Sequence, residues 1–190
     1  MRIVAGVWRG RTLTAPPGNA TRPTADRVRQ ALFDMLMHAP WGGRAVIEGA
    51  RVLDVFAGTG ALGLEALSRG AAHVTFIEHD RAALAALRAN IAACRADPRA
   101  SVLVIDVLAA PGGEAAGLVF LDPPYGRDLV PRALARLRAV GRLAPDALIV
   151  AETGRDEPSP AATPLDERVH GAARISVWRD PPAALAAAPA

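Results

Sequence analysis

The chain has 190 residues, 51% of them hydrophobic, which is enough for one domain with a sizeable core. A single cysteine excludes an internal disulfide, and the lack of a long apolar run argues against a secretory signal or a membrane span. We therefore expect a cytoplasmic protein without membrane contact. Residues 1–30 carry six arginines and one aspartate, a net charge of +5, whereas the whole chain carries +3. This concentration favours a polyanionic partner, although a solvated basic arm without a ligand explains the charge as well.

Strands and helices alternate through the middle of the chain, after a basic N-terminal extension that we assign to residues 1–40 and expect to pack on the core. Asp80 is placed to be the N-cap of one of these helices. Strands that alternate with helices predict a parallel, doubly wound sheet. Apolar runs and their periodicity predict, in chain order, a strand at 50–56, a helix at 60–70, a strand at 73–78, a helix at 80–94, strands at 101–106 and 117–122, a helix at 128–140 and a strand at 147–152.

The C-terminal part adds a predicted hairpin, "DERVHG" and "ARISVWR", which turns at Gly171 and Ala172. With these two segments the α/β sheet has seven strands and an antiparallel edge strand. The main domain is therefore predicted to span residues 41–179. Residues 180–190 are expected to form a disordered tail, and the loop at 154–164 receives no role.

Acidic residues stand at or near the carboxyl ends of four predicted strands, where the ligand of such a sheet binds. They are Asp54, Glu78, Asp106 and Asp122. Each could instead cap the helix that follows, and for Asp106 that alternative is about as strong. Four acids at four strand ends favour a binding site over four independent caps.

The loop "DVFAGTGALG" places Gly58, Gly60 and Gly63 in the order G-x-G-x-x-G. This pattern alone is a weak signal for a dinucleotide site, with Glu78 at a suitable distance for a ribose hydroxyl. Asp54 argues against a dinucleotide, because an anion beside the pyrophosphate is unfavourable.

S-adenosylmethionine fits these acids better than NAD, because it carries an ammonium and a sulfonium and no phosphate. Asp54 can attract the positive end, Glu78 can accept from the ribose hydroxyls, and Asp106 can accept from the adenine amine. Phe56 is expected to line the cofactor pocket, with packing in the core as its alternative. The four histidines and Cys94 have no metal-ligand spacing, so no metal is expected.

Several motifs carry a resemblance to known families. "DVFAGTG", "IEHD", "LVIDV" and "FLDPPYG" occur in the order and spacing of the Rossmann-like class I methyltransferases that use S-adenosylmethionine. "MRIVAGVWRGRTL", "RPTADRVRQALFDML" and "DVFAGTGALGLEALSRGA" resemble the bacterial RsmD family over about residues 1–153. Arginines such as Arg9 and Arg11 stand where that family often has lysine, which keeps the positive charge.

The resemblance implies a Rossmann-like class I fold and a specific reaction. The expected reaction is methylation of the exocyclic N2 amine of guanine 966 in 16S rRNA, with S-adenosylmethionine as cofactor. The expected partner is 16S rRNA, within the small ribosomal subunit or its assembly intermediate, and the enzyme is expected to be a monomer.

The segment "FLDPPYG" holds the expected catalytic residues. The exocyclic amine of guanine is a poor nucleophile, because its lone pair is delocalised into the ring. Asp122 and the Pro123 carbonyl can accept its two hydrogens, while Pro123 and Pro124 hold both acceptors in place. Tyr125, the one tyrosine of the chain, can stack on a flipped base. The alternative is a proline-rich turn with a packed tyrosine.

Five arginines of the N-terminal region are expected to bind rRNA phosphate, with the segment "RPTADRVRQALFDML" near the mouth of the active site. The alternative is that they pack against the protein's own acidic surface. Two other functions stay open from the residues alone: a DNA adenine-N6 methyltransferase, and a non-catalytic nucleotide-binding or assembly factor. The five arginines are Arg9, Arg11, Arg22, Arg27 and Arg29.

Overall fold

A computed structural model describes residues 1–16 and 23–181 of the chain. Within them lie four α-helices, α1 Pro23–His38, α2 Ala61–Ser68, α3 Arg81–Cys94 and α4 Leu129–Ala139. The seven strands are β1 Arg51–Val55, β2 His73–Glu78, β3 Ala100–Val104, β4 Ala116–Leu121, β5 Leu143–Gly154, β6 Asp166–His170 and β7 Ala173–Arg179.

The strands form one sheet in the order β3-β2-β1-β4-β5-β7-β6. Strands β1 to β5 are parallel, and β7 runs antiparallel to both of its neighbours. This arrangement confirms the predicted doubly wound α/β sheet with its antiparallel C-terminal hairpin. At the C-terminal side of the sheet the edge strand is β6, because β7 is inserted between β5 and β6; the opposite edge strand is β3. The chain changes direction across the sheet between β1 and β4, which is where such folds bind ligands.

Most element bounds agree with the sequence pattern. Strand β2 matches its prediction, and the Asp80 carboxylate caps α3 by accepting from the backbone N–H of Ala83 at 2.8 Å. Strand β5 is longer than predicted, since its pairing with β7 continues to Gly154. The disordered tail was predicted to begin at residue 180, but Asp180 is buried and forms an ion pair with Arg138, so the ordered domain extends to that residue. Residues 182–190 lie outside the described residues.

Two hydrophobic clusters cover the two faces of the sheet. One is built from α1, α2 and α3 and includes Ile3 and Leu13 of the N-terminal segment, both almost fully buried. Within it the rings of Phe33 and Phe120 join α1 to β4, with centroids 5.6 Å apart. The other cluster packs α4 on the opposite face. The N-terminal segment therefore shares the main core.

Three buried polar side chains also fasten the N-terminal segment to the domain. Glu65 accepts from the backbone N–H of Val4 and of Ala5, at 2.8 and 3.0 Å. Ser68 donates to the carbonyl of Ala5 at 2.6 Å and accepts from the N–H of Trp8. Further along, Asn90 accepts from the N–H of Thr14 and donates to its carbonyl. Since buried polar groups need partners, these contacts fix the path of residues 1–14 over α2 and α3.

Candidate active site

Two adjoining clefts open at the carboxyl ends of β1 and β4. The first has a volume of about 780 Å³ and is bordered by the glycine loop, by α1 and by the β6–β7 turn. The second, of about 770 Å³, is bordered by Glu78, Asp106 and Arg132. Phe56, Asp122 and Tyr125 line both clefts and stand between them. The structure therefore brings together the acids predicted from the strand ends, with the DPPY segment in the middle.

The loop after β1 has an uncommon backbone conformation. Phe56 has φ 60°, in the left-handed region, and Gly58 and Gly60 follow with φ 55° and 77°. A bulky residue in this region is strained, and strain of this kind concentrates at functional sites. At Gly63 the fit is tight, because an added Cβ would lie 2.4 Å from the Phe76 ring and 2.9 Å from the Asp54 carboxylate. The glycines thus let the loop turn sharply and pack closely on β1 and β2.

Asp54 lies beneath this loop rather than at its surface. Its side chain is almost fully buried and accepts from the backbone N–H of Gly63 at 2.8 Å. Burial raises the pKa of Asp54 to about 8, while the bond from Gly63 acts in the opposite direction and the charges of Asp122 and Glu78 add to the rise. Asp54 therefore shapes the loop. With its pKa above neutrality it is largely protonated in the unliganded protein, and a cation bound in the cleft would favour its ionised form.

Glu78 and Asp106 occupy the second cleft with different surroundings. Glu78 is buried and accepts from three backbone N–H groups, those of Gly58, His79 and Asp80, at 2.7–2.8 Å. It therefore joins the glycine loop to the end of β2. Asp106 is exposed and caps a short turn by accepting from the N–H of Leu108 at 2.9 Å. Capping was the alternative to ligand binding in the sequence analysis. The position of Asp106 in the cleft wall leaves the predicted contact with a ligand open.

The DPPY segment leaves β4 at Leu121 and faces both clefts. Asp122 is exposed to solvent within the cleft. Its pKa is nevertheless raised to about 7, first by partial desolvation of the carboxyl group by the cleft walls and second by the Glu152 charge. Pro123 is buried and Pro124 is exposed. Tyr125 is 42% exposed, and its hydroxyl donates to the Glu152 carboxylate. Burial and this bond raise the pKa of Tyr125 above its usual value.

Glu152 is a site residue that sequence reasoning missed. It lies near the end of β5 and lines the first cleft with Asp122 and Tyr125. The rule that selected Asp54 and Glu78, an acid at the carboxyl end of a parallel strand, applies equally to Glu152. A second acid, Glu157, accepts from the N–H groups of Gly126 and Gly154, both at 2.9 Å. The loop at 154–164 thus holds the turn after Tyr125.

The structure separates the predicted phosphate-binding arginines. Arg29 is only 5% exposed, pairs with Asp26 at 2.9 Å and Glu65 at 3.7 Å, and donates to the carbonyl of Arg2. These ion pairs argue against its predicted role in RNA binding, although the residue also borders the first cleft. Arg11 is exposed but donates to the Ala93 carbonyl.

Arg9 and Arg27 are both exposed, at different distances from the clefts. Arg27 lies on α1 beside Val28, which lines the first cleft, so α1 lies at the mouth as predicted. Arg9 is on the hairpin tip that packs on Ser68, at the end of α2 far from the glycine loop. Arg22 lies outside the described residues.

Among residues 1–16 and 23–181, no group of three His, Cys, Asp or Glu side chains could hold a metal ion. None of the helices found there is long and apolar enough to cross a membrane.

Comparisons with known proteins agree with this geometry. A family model described as "Conserved hypothetical protein 95" matches residues 1–179. Ribosomal RNA small subunit methyltransferase D of Escherichia coli (strain K12) is 45% identical over 155 residues, which are 80% of this chain and 74% of that protein.

Solved structures give the same picture. The proposed methyltransferase yhhF from Escherichia coli aligns with a TM-score of 0.82 at 39% identity, over 96% of this chain and 98% of that chain. An RNA methyltransferase from Salinibacter ruber, in complex with S-adenosyl-L-homocysteine, aligns with a TM-score of 0.61 over 85% of this chain and 94% of that chain. At 18% identity, that likeness concerns the fold alone. The chain therefore belongs to the Conserved hypothetical protein 95 family, which is the RsmD family that its motifs resemble, and has the class I methyltransferase fold.

Proposed function

We propose that this protein transfers a methyl group from S-adenosylmethionine to the exocyclic N2 amine of a guanine in 16S rRNA, at nucleotide 966. The observation that carries the proposal is the position of Asp122 and Tyr125 between two clefts. The second cleft has Glu78 and Asp106, which suit the cofactor, and the first cleft has room for a base. Family membership and the 45% identity to the Escherichia coli rRNA methyltransferase support the RNA substrate.

The residues of the second cleft fit S-adenosylmethionine, which supplies a methyl group already activated on a sulfonium. Glu78 already accepts three N–H groups, and its carboxylate oxygens keep lone pairs for the ribose hydroxyls. Asp106 is exposed in the cleft wall and can accept from the adenine amine. Buried Asp54 lines the first cleft beside the glycine loop. A cationic group bound near it would lower its raised pKa and favour the ionised form, whereas a phosphate would raise that pKa further.

The DPPY residues would act on the base. The Asp122 carboxylate and the Pro123 carbonyl accept the two amine hydrogens, which turns the nitrogen lone pair toward the methyl group. The buried Pro123 restricts the backbone of this turn, so both acceptors are in place before the base arrives. Tyr125 exposes its ring for stacking, while its hydroxyl is held by Glu152. A stacked base contributes about 1–3 kcal/mol.

The proposed partner is 16S rRNA within the small subunit or an assembly intermediate. The enzyme is proposed to bind it as a monomer in the cytoplasm. Arg27 is the exposed arginine of α1 beside the cleft, and Arg22 is the nearest arginine before it in the sequence. Such phosphate contacts give affinity without reading sequence.

The test is transfer of a labelled methyl group from S-adenosylmethionine to small subunits from cells that lack this enzyme. Digestion to nucleosides should place the label in N2-methylguanosine. The Asp122→Ala variant should bind the cofactor as the wild type does and transfer the methyl group at less than about one hundredth of its rate. Label in N6-methyladenosine, or transfer only to DNA, would support the adenine-N6 alternative instead. Near-normal transfer by the variant would return the DPPY segment to a structural turn.

A further inference from the structure

Glu152 and Asp122 stand side by side on neighbouring strands. Strands β4 and β5 are parallel, and Leu121 pairs with Ala151 in their register. Asp122 directly follows the end of β4, and Glu152 is the residue after Ala151 in β5, so the two lie at the same level of the sheet and on the same side. Both line the first cleft.

These two carboxylates have few donors of their own. Within residues 1–16 and 23–181, the one hydrogen bond to Glu152 comes from the Tyr125 hydroxyl, and neither acid forms an ion pair. The bond from Tyr125 goes to Oε1 and leaves Oε2 able to accept. Like charges this close are costly, and the charge of Glu152 contributes to the raised pKa of Asp122. A ligand edge that presents several N–H donors would offset that cost.

We propose that Glu152 is the residue that selects guanine, by accepting the ring N1–H through Oε2 while Asp122 accepts a hydrogen of the N2 amine. The inference rests on the proposed function and adds a specificity residue to it. Guanine presents N1–H beside its exocyclic amine, so the two carboxylates face two donors. Adenine has an unprotonated N1, whose lone pair would face the Glu152 carboxylate and be repelled. Tyr125 then serves two purposes, since it stacks on the base and orients Glu152.

The substrate that separates this role from a structural one is RNA with 2-aminopurine in place of the target guanine. This base keeps the amine at C2, but its N1 is an acceptor without hydrogen. The wild-type enzyme should methylate guanine at least about tenfold faster, because 2-aminopurine leaves a buried acceptor facing a lone pair. In Glu152→Gln the amide can donate to that nitrogen, so the guanine to 2-aminopurine ratio should fall by about tenfold or more.

The matched control is Glu157→Gln, the same change from carboxylate to amide on the loop that follows β5. Glu157 accepts from the backbone N–H groups of Gly126 and Gly154, so this variant should alter both rates together and keep the ratio. If Glu152 serves only to hold Tyr125, the Glu152→Gln variant should likewise keep the wild-type ratio. That result would overturn the assignment.

Three further outcomes also decide the question. If Glu152→Gln transfers too slowly to time, the ratio of affinities for the two RNAs, from competition binding, takes the place of the rate ratio, and an unchanged value overturns the proposal. If the wild type methylates guanine N2 but the ratio is unaffected by the variant, only the role of Glu152 fails. If the wild type methylates no guanine at all, the proposed function fails with it.

Discussion

The acid at the centre of the site has a pKa near neutrality, and its protonation state decides what it can do. The ionised Asp122 carboxylate is the stronger acceptor for a hydrogen of the target amine, whereas the protonated acid presents a donor on one of its two oxygens. Its pKa is raised to about 7, first because the surrounding cleft walls partly desolvate the carboxyl group and second because of the Glu152 charge. The ionised fraction therefore increases with pH through that value, and the enzyme should be least active in mildly acidic solution.

We expect kcat/KM for the RNA substrate to rise about tenfold between pH 6 and pH 8, since this parameter reports ionisation in the free enzyme. The measurement is methyl transfer at saturating cofactor across that range. In Asp122→Asn the rate should be low at every pH and the rise should disappear. A wild-type rate independent of pH would contradict the role of the Asp122 carboxylate.

Asp54 should make the stability of the protein depend on pH. Its pKa is about 8 in the folded protein against 3.8 ordinarily, so the folded state binds the proton more tightly than the unfolded chain. Its contribution to stability is full below 3.8 and is lost as the pH rises through about 8. In Asp54→Asn the amide oxygen can still accept from Gly63, and that loss should be absent.

Urea unfolding of both proteins at about pH 5 and pH 9 checks this expectation. Each unit of pKa difference corresponds to about 1.4 kcal/mol, so the wild type should lose a few kcal/mol relative to the variant as the pH rises. The Asp122 carboxyl titrates in both proteins, so the part of its effect that does not depend on the Asp54 charge is common to both. Parallel changes in the two proteins would show that Asp54 is ionised already at low pH.

Among the elements, the N-terminal hairpin is held by a close approach to α2. A Cβ on Gly6, which has φ +79°, would lie 1.9 Å from the Ser68 carbonyl oxygen. Gly10 has a similar φ of +84°, but nothing lies within 4 Å of the corresponding Cβ position. The two glycines thus share the same backbone strain and differ in steric surroundings.

Gly6→Ala should therefore destabilise the protein far more than Gly10→Ala. The second variant should cost about 1 kcal/mol, the ordinary penalty for alanine in the left-handed region. The first adds displacement of the hairpin and loss of its bonds to Ser68, for a total of several kcal/mol. Thermal melting of both variants gives the comparison, and equal melting temperatures would mean that the hairpin moves away from α2 at little cost.

Helices and strands with a regular hydrophobic pattern could be predicted from the sequence. Strand bounds that depend on pairing with adjacent strands could not. The β2 strand and the Asp80 cap follow from local spacing and side-chain chemistry. The start of β5 could not be predicted, because the residues Pro145 and Asp146 are typical of a turn, and Asp146 does have a positive φ within the strand. Pairing with adjacent strands carries the chain through that irregularity.

For the site, the expectation that ligands bind at the carboxyl ends of parallel strands selected the four acids and the DPPY segment, but it did not indicate the role of each residue. Which acid is buried depends on packing across the sheet, so the difference between buried Asp54 and exposed Asp106 required the structure. Arg29 shows the same limit, since its buried partner Glu65 is distant in sequence. A count of charges cannot separate an arginine that binds RNA from one that binds its own protein.

At the scale of the whole molecule, the basic charge is less available than its total suggests. Arg29 is internal, while Arg9 and Arg27 are exposed. Replacing Arg9 and Arg27 with alanine should weaken RNA binding and flatten the salt dependence by up to about one unit of slope per lost contact. Cofactor affinity should stay unchanged, because the cofactor cleft is lined by other residues.

The matched control is the double variant Arg44→Ala and Arg51→Ala, which removes the same charge elsewhere. Both are surface arginines, paired with Glu48 and Glu114, and Arg51 begins β1 at the end of the sheet opposite the site. Binding across a salt series should show no loss of slope for the control pair. Equal slopes for both double variants would mean that RNA binds through overall charge rather than through the N-terminal arginines.

The central claim is that the cleft around Asp122 methylates guanine N2 in 16S rRNA. Its most direct test is nucleoside mapping by mass spectrometry of 16S rRNA from a strain that lacks this gene, complemented with either the wild type or Asp122→Ala. N2-methylguanosine at nucleotide 966 should be absent from the deletion strain, restored by the wild type and not restored by the variant. An unchanged modification pattern in the deletion strain, or full restoration by Asp122→Ala, would contradict the claim.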